Sequence, residues 1–205
     1  MITIWGRLNS HNVKKVVWAA IEMDLPHRRI DLGGSFGYTD AYLAQNPNRM
    51  IPMIEDDSVA GGFALWESNT ILRYLADAHA PHFRHTDAAA RAQAEKWMDW
   101  HFGYAEAQCA AFLGFARQGT DASDPGVAAS LRASIDLARI LDAELARRPF
   151  LSGNRFGLAD IPLGVYAYTF FTLPFDRPSL PSLEDWYAGL TERPGFASQV
   201  MIPLT

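Results

Sequence analysis

Along the first 80 residues, polar and apolar positions alternate between short runs closed by turn formers and longer stretches with helical spacing. Ile2–Trp5, His27–Leu32, Met53–Glu55 and Phe63–Trp66 read as strands, and Asn12–Met23, Thr39–Gln45 and Glu67–His79 as helices, in the order βαβαββα. In the first helix Val13, Val16, Val17, Ala20 and Ile21 fall at i, i+3, i+4, i+7 and i+8. That spacing predicts one buried face, and Leu25-Pro26 ends the helix. Ile71, Leu72 and Leu75 repeat the pattern in the last helix, with Arg73 and Asp77 directed elsewhere. Asp56-Asp57 and Gly61-Gly62 supply a hairpin turn, and Ala80-Pro81-His82 reads as a linker.

From Thr86 onward the pattern is helical. Alanine-rich stretches cover 87–117 and 127–147. Trp97, Trp100 or His101, Tyr104, and Gln108 or Cys109 mark one long helix, and Leu131, Ile135, Ala138, Leu141 and Leu145 mark another. Turn residues from Gly119 to Gly126 separate the two. A further helix is expected after Gly157 and another through Leu183–Leu190, followed by a short tail ending in Pro203. The predicted architecture is an α/β domain over 1–80 joined to an all-α domain over 86–205.

Composition removes several function classes. With 205 residues, 49% of them hydrophobic, the chain buries a sizeable core. Net charge is −5 and basic residues come at most in pairs such as Lys14-Lys15 and Arg147-Arg148, which argues against nucleic acid as a partner. No apolar run approaches the roughly 20 residues of a membrane span. Met1-Ile2-Thr3-Ile4-Trp5 lacks the features of a signal peptide, so a cytoplasmic location is expected. Cys109 is the only cysteine, which excludes an internal disulfide and any CxxC redox or zinc motif, and no metal centre is expected.

The candidate chemistry lies at Ile51-Pro52 and at Glu67-Ser68-Asn69. A strand begun through Pro52 and a helix opened by Glu67-Ser68 bring a main-chain edge and hydrogen-bonding groups to one place, suited to a peptide-like, carboxylated ligand. Pro52 is also compatible with an ordinary trans proline at a strand start. Glu67 and Ser68 are equally natural N-capping residues, a role compatible with holding a carboxylate at the helix end.

Five segments together resemble the cytosolic glutathione transferases, in their bacterial theta-, nu- and beta-like forms. They are Ser10-His11-Asn12-Val13-Lys14-Lys15, Asn46 to Pro52, Trp66 to Ile71, Gly157-Leu158-Ala159-Asp160-Ile161, and Trp186 to Pro194. The resemblance spans nearly the whole chain. It implies a thioredoxin-like N-terminal domain that binds glutathione, and an all-helical domain that contributes the pocket for a small hydrophobic electrophile. It further implies a cis Pro52, with Ile51 pairing to the cysteinyl part of the tripeptide and Glu67 and Ser68 holding its γ-glutamyl end. Asp160 is implied to be structural, with the usual Ser or Thr cap of its helix replaced by Gly157 or missing.

Ser10 matches the family's catalytic serine, with a helix cap as its plainer role. A free thiol titrates at ~8.5, and bringing it ~2 pH units lower takes about 2.7 kcal/mol. One hydrogen bond to a charged sulfur contributes roughly 1.5–3 kcal/mol and a helix N-terminus roughly 0.3–1. A Ser10 hydroxyl donating to the sulfur is therefore sufficient, with Asn12 as rival or helper. His11 reads as solvent-facing.

The family's Gly-Lys or Gly-Gln pair is replaced by Arg49-Met50, so Arg49 or Arg7 stands in for the ligand to the glycine carboxylate. The second substrate is expected against the helix carrying Trp97, Trp100, His101 and Tyr104, with the Tyr104 hydroxyl at the leaving group. Asp99 matches a position that reaches the γ-glutamyl amine across a homodimer interface. The activity implied is attack of the glutathione thiolate on a small electrophile, halogenated ones included. Glutathione-dependent disulfide reduction and a non-catalytic binding module are the alternatives. The Ser-Ser-Cys signature of maleylacetoacetate isomerases is not present at Asn9-Ser10-His11.

Overall fold

A computed structural model describes all 205 residues. Its four strands, β1 (Ile2–Trp5), β2 (His27–Ile30), β3 (Met53–Asp56) and β4 (Phe63–Trp66), form one mixed sheet in the order β2-β1-β3-β4. β1 runs parallel to β2, while β1–β3 and β3–β4 are antiparallel with Ile4 opposite Ile54 and Met53 opposite Trp66. The β1–β2 pair is parallel because helix α1 (His11–Glu22) makes the crossover. Helices α2 (Asp40–Gln45) and α3 (Ser68–His79) complete a thioredoxin-like N-terminal domain in the βαβαββα order expected.

The second half is helical: α4 (Ala88–Leu113), α5 (Pro125–Leu145), α6 (Asp160–Thr172), α7 (Pro181–Thr191) and α8 (Pro194–Gln199). Asp87 and Asp124 cap α4 and α5 by accepting from main-chain N–H groups one turn on. α4 ends in a π-helical turn over Gly114–Gln118. The expected linker is a short 3-10 turn at Pro81–Phe83. α8 lies within what the periodicity left as tail. It is too short for a repeat to show, and its signals are Pro194 in the first turn and the buried Phe196.

Helix α1 departs most from expectation. Every residue from Val13 to Ala20 is buried, Lys14 and Lys15 included. A surface helix buries one face, but here the sheet and α3 cover one side and α6 and α8 the other. One continuous core of 36 buried residues therefore runs from β1 through α1 to α7 and α8, so the two halves share their packing.

The start of α6 is held differently from the weak cap expected at Gly157. Ser152 Oγ, from the preceding loop, accepts from Ala159 N at 3.0 Å. The buried Asp160 carboxylate accepts from the N–H groups of Leu151, Ser152 and Gly157 and from Trp186 Nε1. Gly157 is small because a Cβ there would stand 2.9 Å from the Ser152 side chain. No helix is long and apolar enough to cross a membrane.

Candidate active site

Three segments of the N-terminal domain converge beside α1. The first is the β1–α1 loop. Gly6 adopts φ +147°, and a Cβ there would lie 2.5 Å from Val13 and 3.2 Å from Ile51, so glycine lets this loop pass close to the Ile51 segment. Ser10 follows in extended conformation at the N-cap of α1. Its carbonyl accepts from Lys14 N at 2.9 Å, but its side chain makes no capping hydrogen bond. The half-buried hydroxyl is free to donate.

The second segment leads into β3. The Ile51–Pro52 peptide bond is cis, and the main chain of Ile51 has no hydrogen-bond partner in the fold. The Met50 carbonyl just before it is pinned by the Tyr42 hydroxyl and by Asn46 Nδ2, the latter at 2.9 Å. Tyr42 and Asn46 thus hold the bend from behind, a role the sequence did not disclose. Burial pushes the Tyr42 phenol up to about 12, keeping it a donor. Arg49 is exposed at φ +57° and its side chain makes no hydrogen bond or ion pair, whereas the Arg7 side chain donates to Asn9 Oδ1.

The third is the β4–α3 junction. Glu67 is exposed at φ 74°, ψ 106°, a conformation costly for any residue with a side chain, and it caps nothing. Ser68 is buried and donates to Asn12 Oδ1 at 3.3 Å, tying the first turn of α3 to that of α1. The amide ends of α1 and α3 both contribute positive potential there. Beneath them Lys15 Nζ reaches Ser68 Oγ at 3.4 Å and His101 Nε2 at 2.7 Å. Asn69 donates to the Met98 carbonyl at 2.6 Å, so it braces α3 against α4.

A cavity of about 200 Å³ opens on the helical side, lined by His11, Gln108, Cys109, Phe112, Tyr166 and Thr169 among others. His11 is not the solvent-facing residue expected. Its ring stacks on Tyr166 at 4.9 Å, meets the edge of Phe112 at 5.0 Å, and places Nε2 2.7 Å from Thr169 Oγ1. Burial, reinforced by Lys14, Lys15, Arg117 and Arg7, holds its pKa down at about 3, so the ring is neutral and a poor base near pH 7.

Tyr104 requires a correction: it is wholly buried, its hydroxyl has no partner, and burial raises its pKa above the phenol range. The face of α4 toward the cavity runs through Ala105, Gln108, Cys109 and Phe112. Tyr104 lies one position out of that phase, against Phe170 of α6. Trp97 and His101 are core residues as well. Asp99 is exposed and pairs with Arg73 Nη2 at 2.8 Å, linking α4 to α3 within the chain.

Comparison with known proteins gives this arrangement its context. Residues 9–78 match the glutathione S-transferase N-terminal domain family. Glutathione S-transferase GstB of Escherichia coli is 40% identical over 210 residues, which cover all of both chains. The chain belongs to the glutathione S-transferase family. Among solved structures, this transferase superposes with a TM-score of 0.91 on the theta class glutathione S-transferase from Xanthomonas axonopodis pv. citri with glutathione bound. Identity there is 43%, over 100% of this chain and 99% of that one. The disulfide-bond oxidoreductase YfcG of Escherichia coli is 26% identical over 193 residues, covering 91% of this transferase and 87% of the relative.

Proposed function

We propose that this transferase binds glutathione along the Ile51–Pro52 edge and the α3 N-terminus, and that Ser10 stabilises its thiolate for attack on a small electrophile. One observation carries the proposal: the Ser10 hydroxyl sits at the N-terminus of α1, one residue before the cavity-lining His11, without making the cap that its position would otherwise explain. The free N–H and C=O of Ile51 suit the cysteinyl main chain, presented as an added strand. Ser68 and the first amides of α3 suit the γ-glutamyl carboxylate, and the exposed Glu67 carboxylate suits its ammonium. Arg49, free of other partners, supplies the cation for the glycine carboxylate. Asn12 holds Ser68 and offers its amide N–H groups toward the sulfur.

In the reaction the thiol proton leaves to solvent. Sulfur forms a bond to the electrophilic carbon, and the leaving group, a halide for a halogenated substrate, departs with the bonding pair. Ser10 keeps its proton throughout and donates to the sulfur. The cavity takes the electrophile against the Tyr166 and Phe112 rings. The assembly we propose is a homodimer. The exposed apolar side chains of Met50, Trp66 and Phe102, flanking the ligand-binding segments, support it, and in that assembly Asp99 reaches the partner's γ-glutamyl amine.

The likeness to YfcG supports a second activity, glutathione-dependent disulfide reduction. Turnover of a mixed disulfide against turnover of an alkyl halide separates the two. The test of the main proposal is an ultraviolet titration of glutathione thiolate with saturating protein and with Ser10→Ala. A thiol pKa lowered by about one unit or more, and restored in the variant, is expected from one charge-assisted hydrogen bond. Glutathione bound with no shift would refute thiolate activation, and no binding would refute the site.

A further inference from the structure

Lys15 is a buried cation with no counter-ion. Its side chain is fully enclosed between α1, α3, α4 and α6, and it takes part in none of the ion pairs of the molecule. Its Nζ donates to His101 Nε2 at 2.7 Å and to Ser68 Oγ at 3.4 Å, with the rings of Tyr166 and Phe102 5.6 and 5.9 Å away. His101 accepts as a neutral ring, because its Nδ1 donates to the Met98 carbonyl. An ammonium so enclosed is costly unless an anion arrives to compensate it. The one outlet is Ser68, at the end of α3 where the ligand carboxylate is proposed to sit.

We propose that Lys15 is a positioning residue of the glutathione site, which charges Ser68 from behind and takes up a proton when the γ-glutamyl carboxylate binds. This rests on the glutathione-binding reading above and deepens it. By donating to Ser68 Oγ, Lys15 occupies a lone pair and turns the hydroxyl proton outward, where it now reaches Asn12 at 3.3 Å and would otherwise meet the ligand. The carboxylate then completes a cation–hydroxyl–anion relay across Ser68.

The groups around Lys15 leave it as the responsive one. From α1 it faces His11, from the start of α3 Glu67 with Arg73 further along that helix, from α4 His101 with Asp99 beyond, and from α6 Tyr166. His11 and His101 are held down at about 3, and burial pushes Tyr166 up to about 12. Burial lowers Lys15 to about 7 against the opposing pull of Glu67. Lys14, lowered by burial to about 8, points away to the Val200 carbonyl at 2.9 Å and the Tyr168 ring. The arriving carboxylate raises the Lys15 value, so binding takes up a proton and weakens as pH rises above 7.

The test uses S-methylglutathione, whose blocked sulfur removes thiol titration and any effect of Ser10. Isothermal titration calorimetry at pH 7.5 in buffers of different ionisation enthalpy should show uptake of about three quarters of a proton per site. Between pH 6 and 8.5 the wild-type Kd should rise about 30-fold. Lys15→Arg, always charged, should keep its affinity and lose the pH dependence. Lys15→Met should bind at least ~10-fold more weakly at pH 6 with no pH dependence, and Lys14→Met should keep the wild-type slope. Binding by wild type without proton uptake overturns the role of Lys15 and leaves the glutathione site standing. So does uptake that persists in Lys15→Arg or Lys15→Met, or that disappears in Lys14→Met. Failure of wild type to bind S-methylglutathione overturns both.

Discussion

Replacing Glu67 separates what its backbone costs from what its carboxylate provides. The residue stands at φ 74°, ψ 106°, outside the small left-handed basin near φ +57°, ψ +47° that side chains tolerate. A non-glycine residue held in such a region costs roughly 1–3 kcal/mol. Glycine adopts it without clash but gives back roughly 0.5–1 kcal/mol through its freer unfolded chain. Glu67→Gly should therefore be more stable than Glu67→Ala by about 1 kcal/mol, since both lack the carboxylate and only the alanine keeps the strain. For a chain of 205 residues that is a melting-temperature difference of roughly 2–4 °C, read by thermal unfolding without ligand. Glutathione affinity moves the other way in both variants. Loss of one hydrogen bond to a charged group, roughly 1.5–3 kcal/mol, weakens Kd by roughly 10- to 150-fold. A Glu67→Gly protein no more stable than Glu67→Ala would refute the strain, and undiminished binding would refute the carboxylate's role.

Two further expectations follow from buried groups. Tyr104→Phe removes a hydroxyl that has no partner, so stability should hold or rise by about 1 kcal/mol with kcat unchanged; a tenfold loss of kcat would put Tyr104 back at the pocket. His11 and His101 titrate near 3 in the fold and near 6.5 when unfolded, so below pH 6.5 the unfolded chain binds protons that the folded chain refuses. Stability should fall as pH drops from 7 to 5, by about 2 kcal/mol for each ring, and in urea unfolding His11→Phe should halve the loss. No change in stability between those pH values would show that the rings are not held neutral.

The N-terminal domain was legible because each element carries its own period and its own turn residues. Val13, Val16 and Val17 mark α1 without help from the rest of the chain, and Ile51-Pro52 and Glu67-Ser68 stand at element boundaries. What the sequence hid depends on a second layer of packing. Lys14 and Lys15 entered the sequence reading only as a basic pair beside the apolar face, and α6 and α8, closing over the far side of α1, are what bury them. Tyr104 was misplaced for a related reason. Along its middle α4 carries aromatic residues on more than one side, Trp97 and Tyr104 buried and Phe102 exposed, so aromatic content does not give its phase, and phase relative to a cavity is a tertiary property. His11 likewise acquires its role from partners distant in sequence, Thr169 and Tyr166, while Asn46 acquires its own from a local bend that brings the Met50 carbonyl back to it.

The π-helical turn at Gly114–Gln118 has a bearing on how such a protein diversifies. It closes the helix at the point where Phe112 and Leu113 line the cavity and Arg117 lies over the Phe112 ring. A wider turn accommodates one extra residue without disturbing the turns before it. Gain or loss of a single codon at this point therefore re-aims Arg117 over the rim of the cavity, while Phe112 before the turn and Ser10, Ile51 and Glu67 on separate elements stay where they are. Substrate range and thiol chemistry are thus free to drift independently, with chain length at one bend of one helix as the variable that lineages, or engineers, can adjust.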